Sequence, residues 1–397
     1  MNTTTCIYCD KARPFTDEHV FPAGLGGDDK SYLLTGLVCG VCNTKTFSPL
    51  ETQLMRNSPY ALARLYQQAT GRGKGGKALP PEFAHDRCDL VDPVSGHVSE
   101  AEMGPGGVPT TLGQLQILGD ELSLGGTDGL QIAEFLAGLP ALLADTARII
   151  SKISSTEFEV TEFTWDGSNY EQAGTSSLPK PPAGIWLDSL IGSQGKPIGK
   201  PRLYKRSKGQ YVLRLIEPAD AAVFLSGARR QLPMLQARVI PDASFISQPG
   251  LLVGMKMDPQ AIFRAMVKIG VNLACHEYGE QVVRSPSFDR IREIVLTGKE
   301  GVPVNDIPPI REIFQHDKRP VHVAMLYPQM TDRGMVLLFL LRLYGGAMQI
   351  FLLSEDATLP AGSTPVVFVV HYREHRIERH PLENYLYFLL HGEEFRP

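Results

Sequence analysis

The chain has 397 residues, 43% of them apolar and 21% charged. That length suits two or three domains with real cores and excludes wholesale disorder. A net charge of −4 excludes a global positive field for collecting nucleic acid, although residues 1–80 lean basic, with nine Lys/Arg against six Asp/Glu. Met1 to Cys6 lacks the basic and apolar regions of a secretory leader. The most apolar stretch, Met335–Leu353, contains Arg342, Gln349 and Gly345-Gly346, so it reads as two buried strands around a turn. The expectation is a soluble, cytoplasmic protein with no membrane partner.

In chain order, residues 1–70 hold four clustered cysteines and then a short helical pattern at Tyr60, Leu62, Leu65 and Tyr66. Residues 71–80 are Gly/Lys-rich and read as a basic linker. The run Gly71–Ala78 falls one residue short of a phosphate-binding loop, because it lacks the Ser/Thr hydroxyl and follows a helical pattern. Residues 81–300 read as a mixed α/β region. Strands are expected at Phe158–Trp165, Tyr211–Ile216 and Ala237–Ile240, and helices at about 130–153, 258–278 and 287–297. Pro140 should kink or split the first helix. Asp258 and Pro259 open the second, whose Ile262, Met266, Ile269 and Leu273 line one face, and Gly298 stops the third. Residues 301–397 turn β-rich, with strands at Val321–Tyr327, Val336–Tyr344, Ala347–Leu353 and Pro365–Tyr372; Tyr385–Leu390 fits helix or strand. The expected class is α+β: a small N-terminal module, a larger mixed α/β region and a β-rich C-terminal part.

Cys6-x-x-Cys9 and Cys39-x-x-Cys42 are two knuckles separated by 29 residues. Two such pairs form a closed tetrahedral thiolate site, the preference of structural zinc, and in a reducing compartment metal is favoured over disulfides. A module this small draws folding energy from the ion. Cys88 and Cys275 stand alone and read as bystanders. Closed thiolate sites are mostly structural, so any chemistry must come from what lies between the knuckles.

Between them run Asp17-Glu18-His19-Val20-Phe21-Pro22 and Gly26-Gly27, and Asn43 follows the last cysteine directly. This pattern over residues 1–57 resembles the HNH endonuclease family. It is most similar to the four-cysteine, zinc-containing branch that includes phage Holliday-junction-resolving endonucleases. The resemblance implies a zinc-stabilised ββα-metal fold, with His19 as general base and Glu18 and Asn43 as ligands of a catalytic Mg2+ or Mn2+. Glu18 is a departure, since many relatives carry Asp there. The chemistry is reasonable independently. Histidine accepts a proton near neutrality, and a hard cation prefers oxygen ligands. The expected function is hydrolysis of phosphodiester bonds, most naturally in DNA, in defence or DNA processing.

Blander readings exist for each residue alone. Glu18-His19 fits an exposed turn pair, and Asn43 fits a helix cap. Lys45 and Arg56 suit phosphate contacts or plain surface. His371, His375 and His380 sit among Arg and Glu and read as a solvated strand pair; His276 reads as packing, Trp165 and Trp186 as core. Lys268-Ile269, Asn272, Phe288-Asp289, Ile291-Arg292 and Gly298 resemble a segment found downstream of such modules, with no chemistry implied. Residues 81–397 are expected to recognise substrate, form a homo-oligomer or bind a regulatory protein or ligand. The rival reading is a zinc-stabilised, non-catalytic nucleic-acid-binding or adaptor protein. An RNA-cleaving enzyme of the same family is a third.

Overall fold

Most strand pairs are antiparallel, Ile185–Ser189 being parallel to both its neighbours, and helices are set between runs of strands rather than after each strand, which gives the α+β class. The computed structural model describes residues 5–391 apart from 29, 69–70, 73–77, 80, 120, 193, 238–245, 306–313, 315–316 and 333. The chain divides into two units. One comprises Met1–Ala84, Pro105–Gly107 and Met255–Pro397; the other comprises His85–Gly104 and Val108–Gly254. The expected boundaries near residues 70, 80 and 300 are therefore corrected. The cysteine-rich beginning and the β-rich end belong to one unit, because they share one core. Tyr8, Phe47 and Leu54 pack in the same apolar cluster as Met266, Leu273, Phe339 and Phe368.

The centre of the first unit is the helix Pro259–Tyr278. Asp258 caps it, its carboxylate accepting the Ala261 N–H at 3.0 Å. The sequence pattern gave it one apolar face, but residues 265–275 are buried without exception, so it is enclosed on all sides. It packs on the helix Ser48–Arg56 and on a six-stranded antiparallel sheet. That sheet runs in the order Val304–Asn305, Gln349–Ser354, Gly334–Arg342, His322–Thr331, Val366–His371, Arg376–Pro381. Alternate side chains split it into two faces. Ala324, Phe339 and Phe368 face the central core, while Val323, Leu340 and Val369 pack with Phe314 and Tyr385. Tyr385–Leu390 lies in a helix, Leu382–His391. Met335–Leu353 resolves into two strands and a turn, and among the described residues no helix is long and apolar enough to cross a membrane. Gly71–Arg72 pairs with Ala78–Leu79, and residues 73–77 of the expected linker lie outside the described residues.

In the second unit, an eight-stranded sheet carries the helices Gly129–Leu142 and Ala221–Ala237, whose apolar faces share its core. A four-stranded sheet is tied to it by buried charge. Arg202 reaches Asp89 at 2.8 Å and Glu100 at 2.7 Å, and Arg214 reaches Glu100 at 3.0 Å. The expected helix at 130–153 ends at Leu142, two residues past Pro140, and Thr146–Lys152 is a strand. Buried Ala147, Ile149 and Ile150 had extended the helical pattern falsely, although their alternation with exposed Thr146 and Arg148 is that of a strand. Ala237 closes a helix instead of opening a strand, and residues 238–240 lie outside the described residues.

Two contacts of the first unit generate predictions. A Cβ on Gly270 would stand 2.5 Å from the Phe339 ring, so Gly270→Ala must push helix from sheet. Overpacking of this kind costs about 1–3 kcal/mol. Denaturant titration should show that loss, and Gly301→Ala, which meets nothing closer than 3.7 Å, should show almost none. His322 is fully buried and stacks between Phe21 and Tyr372, and burial pushes its pKa from 6.5 down to about 3. Its folded pKa lies below its unfolded value, so its contribution is present above about pH 6.5 and declines as the pH falls toward 3. The stability of His322→Gln, measured by melting at stepped pH, should fall less steeply over that window.

Candidate metal centre and histidine strand

The first knuckle is a tight turn. The Asp10 N–H donates to the Cys6 carbonyl at 3.0 Å, and Asp10 itself, at φ 54°, turns the chain so that the Lys11 carbonyl accepts the Cys6 N–H at 3.1 Å. The second knuckle begins where the strand Leu33–Cys39 ends. Backbone N–H groups point at sulfur: Cys39 N to Cys6 Sγ at 3.4 Å, and Cys42 N to Cys39 Sγ at 3.5 Å. The four Sγ atoms all lie within 4.8 Å of one another, with Cys6 and Cys42 at 3.9 Å and Cys9 and Cys39 at 3.8 Å. A tetrahedron with metal–sulfur bonds of about 2.3 Å has edges of about 3.8 Å. The four cysteines thus form a cluster able to hold a metal ion, and all six cysteines of the chain are free thiols. The Cys42 thiol's hydrogen bond holds Cys6 down to about 4, while that bond and burial push Cys42 upward. Among the described residues it is the one such group of three or more His, Cys, Asp or Glu side chains. Cys88 and Cys275 are buried elsewhere.

The strand Phe15–His19 pairs antiparallel with Leu33–Cys39, and the register breaks between Thr16 and Glu18. The extra residues belong to the second strand, where Gly36 takes φ 73°. After the hairpin comes a helix whose first turns, Cys42–Phe47, are π-helical before Ser48–Arg56 continues as α. The order is two strands, then a helix. Along the first strand Asp17 is exposed, Glu18 is buried and His19 is half-buried, so Asp17 and His19 share the outer face. Half-buried Asn43 reaches across to this strand. Its Nδ2 donates to Thr16 Oγ1 at 3.1 Å and to the Asp17 carbonyl at 3.0 Å. Asn43 is thus held against the histidine strand at Thr16 and Asp17, two to three residues before His19. Lys45 is exposed, and Arg56 pairs with Glu82 at 2.8 Å.

Glu18 is on the other side. Only 3% of it is exposed. Its carboxylate pairs with the Lys268 ammonium and accepts from Asn272 Nδ2 at 3.1 Å. Lys268, itself wholly buried, also reaches Glu51 Oε1 at 2.6 Å. Burial opposes its charge, but the Glu51 and Glu18 carboxylates outweigh burial and hold its pKa above the ordinary lysine value. The expectation that Glu18 holds a catalytic cation is corrected here. Its carboxylate faces the core against a fixed positive charge, which repels a divalent ion.

Asn272 does more. The same Nδ2 donates to the His19 carbonyl at 3.0 Å, and its Oδ1 accepts the Tyr8 hydroxyl at 2.7 Å. Arg292 donates to the Ile7 carbonyl at 2.7 Å and pairs with Asp10 at 3.1 Å. Thus Lys268, Asn272 and Arg292, noted in the sequence without a role, all grip the N-terminal module. A signal for the first two existed: they are polar residues four apart within a run of apolar ones.

The loop after His19 is shaped by Gly26. It has φ 84°, and a Cβ there would lie 2.3 Å from the Tyr372 backbone. His276 stacks on Tyr32 with ring centroids 4.7 Å apart, which is packing. His371 and His380 both approach Glu378, at 3.2 and 3.3 Å, and His375 sits in a turn.

Metal analysis of the purified chain should find one tightly held divalent ion, lost in Cys39→Ser. Binding needs thiolates, so acid should release it. A chain that binds no metal, and is as stable with Cys39→Ser, would remove the cluster's role. No family model, curated protein or solved structure matches the chain.

Proposed function

We propose that this protein is a metal-dependent endonuclease of the HNH type, cutting DNA, with zinc in the four-cysteine cluster. The observation that carries the reading is that partly exposed His19 ends a hairpin strand which Asn43 clasps at Thr16 and Asp17, next to the four-cysteine cluster. His19 serves as general base, taking a proton from the attacking water. Imidazole is suited to this near neutrality, and such a base contributes about 10²–10⁴ in rate. Asn43 spends its amide N–H groups on the first strand, so its Oδ1 is the atom it would offer to a cation.

The catalytic Mg2+ or Mn2+ fits these residues with one change. Exposed Asp17 and half-buried Asn43 carry oxygens, the donor type a hard cation prefers; the Glu18 carboxylate is taken by Lys268. Bound there, the ion would polarise a phosphate oxygen and stabilise the leaving oxygen. Two protein ligands leave room for water and substrate. Exposed Lys11 and Lys45 add positive charge for a phosphate backbone.

A second reading keeps the zinc module as a nucleic-acid-binding element without catalysis. One observation favours it: the acid beside His19 is committed to Lys268.

Supercoiled plasmid and single-stranded RNA, each with Mg2+ or Mn2+, separate the readings. The parent should nick plasmid. His19→Ala should lose about a hundredfold or more while keeping its zinc, and Asp17→Asn should need more cation for the same rate. Cutting of RNA alone would change the substrate. Retardation of DNA without cutting would favour the non-catalytic module.

A further inference from the structure

The structure assigns Lys268 and Asn272, more than two hundred residues downstream, as positioning residues of His19. This rests on the nuclease reading of that site. Side chains alternate along a strand, so the face taken by Glu18 dictates the face taken by His19. A one-residue slip would turn the histidine inward and the glutamate out. Lys268 and Asn272 bind Glu18 on the inner side, and Asn272 also binds the His19 carbonyl at 3.0 Å. One amide group therefore fixes both the residue and its neighbour.

The arrangement is expensive as a device for stability alone. Three charged groups, Glu18, Lys268 and Glu51, converge beside the Phe47 ring, whose centroid lies 5.5 Å from the ammonium. Buried ion groups of this kind are often no more stable than apolar residues of equal volume, and their best-supported use is to fix a register. The register fixed here is that of the histidine strand. The grip extends to the metal cluster, because Tyr8, between Cys6 and Cys9, donates its hydroxyl to Asn272 Oδ1 at 2.7 Å. The downstream helix thus links the cysteine knuckle to the base. Glu18 is an anchor, and the exposed carboxylate of the site is Asp17.

The test uses the full chain. Tyr8→Phe and Asn272→Ala should keep bound zinc but lower kcat, with KM for plasmid and half-saturating Mg2+ little changed. Lys268→Met should lose more, since it removes the ammonium facing buried Glu18 and half-buried Glu51. Adding Glu18→Gln to Lys268→Met should restore melting temperature and recover at least several-fold in kcat. If Glu18 were a cation ligand, the double variant would be as inactive as Glu18→Gln and would need far more Mg2+; that result overturns the assignment. NMR of the His19 imidazole reads the same geometry without substrate. Asn272→Ala should shift the His19 resonances while zinc content stays constant, even if no nucleic acid is cut and the nuclease reading fails. Unmoved His19 resonances in Asn272→Ala and Tyr8→Phe would sink the positioning role.

Discussion

One buried ammonium organises the first unit. Lys268 sits in the middle of a helix enclosed on all sides and meets carboxylates from two different elements, the histidine strand and the helix after the second knuckle. A charge in that position is tolerable only with both partners in place. The strand, the knuckle helix and the central helix must therefore assemble together. Asn272, one turn along, repeats the demand with hydrogen bonds: its amide meets the Tyr8 hydroxyl, the Glu18 carboxylate and the His19 carbonyl together. Apolar packing of Tyr8, Phe47 and Leu54 on the same helix supplies driving force without choosing among registers.

This assembly accounts for the chain's organisation. The N-terminal module has a small core of its own, and a module of that size is marginal. It borrows the rest from residues 255–397, where the central helix and the six-stranded sheet complete one apolar cluster. The second unit has its own core of two helices on an eight-stranded sheet. Its last strand, Gly250–Gly254, pairs with its first, Arg87–Val91, and Gly254 lies opposite Arg87. The chain therefore first enters and finally leaves that unit on adjacent strands, apart from the short excursion Pro105–Gly107.

Local structure was legible wherever capping or alternation spoke alone. Asp258 and Pro259 set the start of the central helix, and the C-terminal strands fell close to their expected places. The four-cysteine cluster was legible from spacing, because ligand geometry restricts it. What failed depended on long-range contact. Ala147, Ile149 and Ile150 look like a helix's continuation until their strand partners at Val160 and Ile185 are known. Glu18 reads as an exposed acid until Lys268 is known. No local pattern reveals that two residues 250 apart are ion partners, and none reveals that the helix carrying Lys268 has no exposed face to put it on.

The same fact decides between the two acids of Asp17-Glu18-His19. A sequence motif orders residues along the chain, but a site is ordered by face. Alternation gives Asp17 and His19 one face and Glu18 the other. Asn43 clasps the same strand at the Thr16 hydroxyl and the Asp17 carbonyl. The glutamate beside the histidine keeps its place in the motif through a different physical role. It supplies inward charge for Lys268 and so keeps the next residue turned toward solvent.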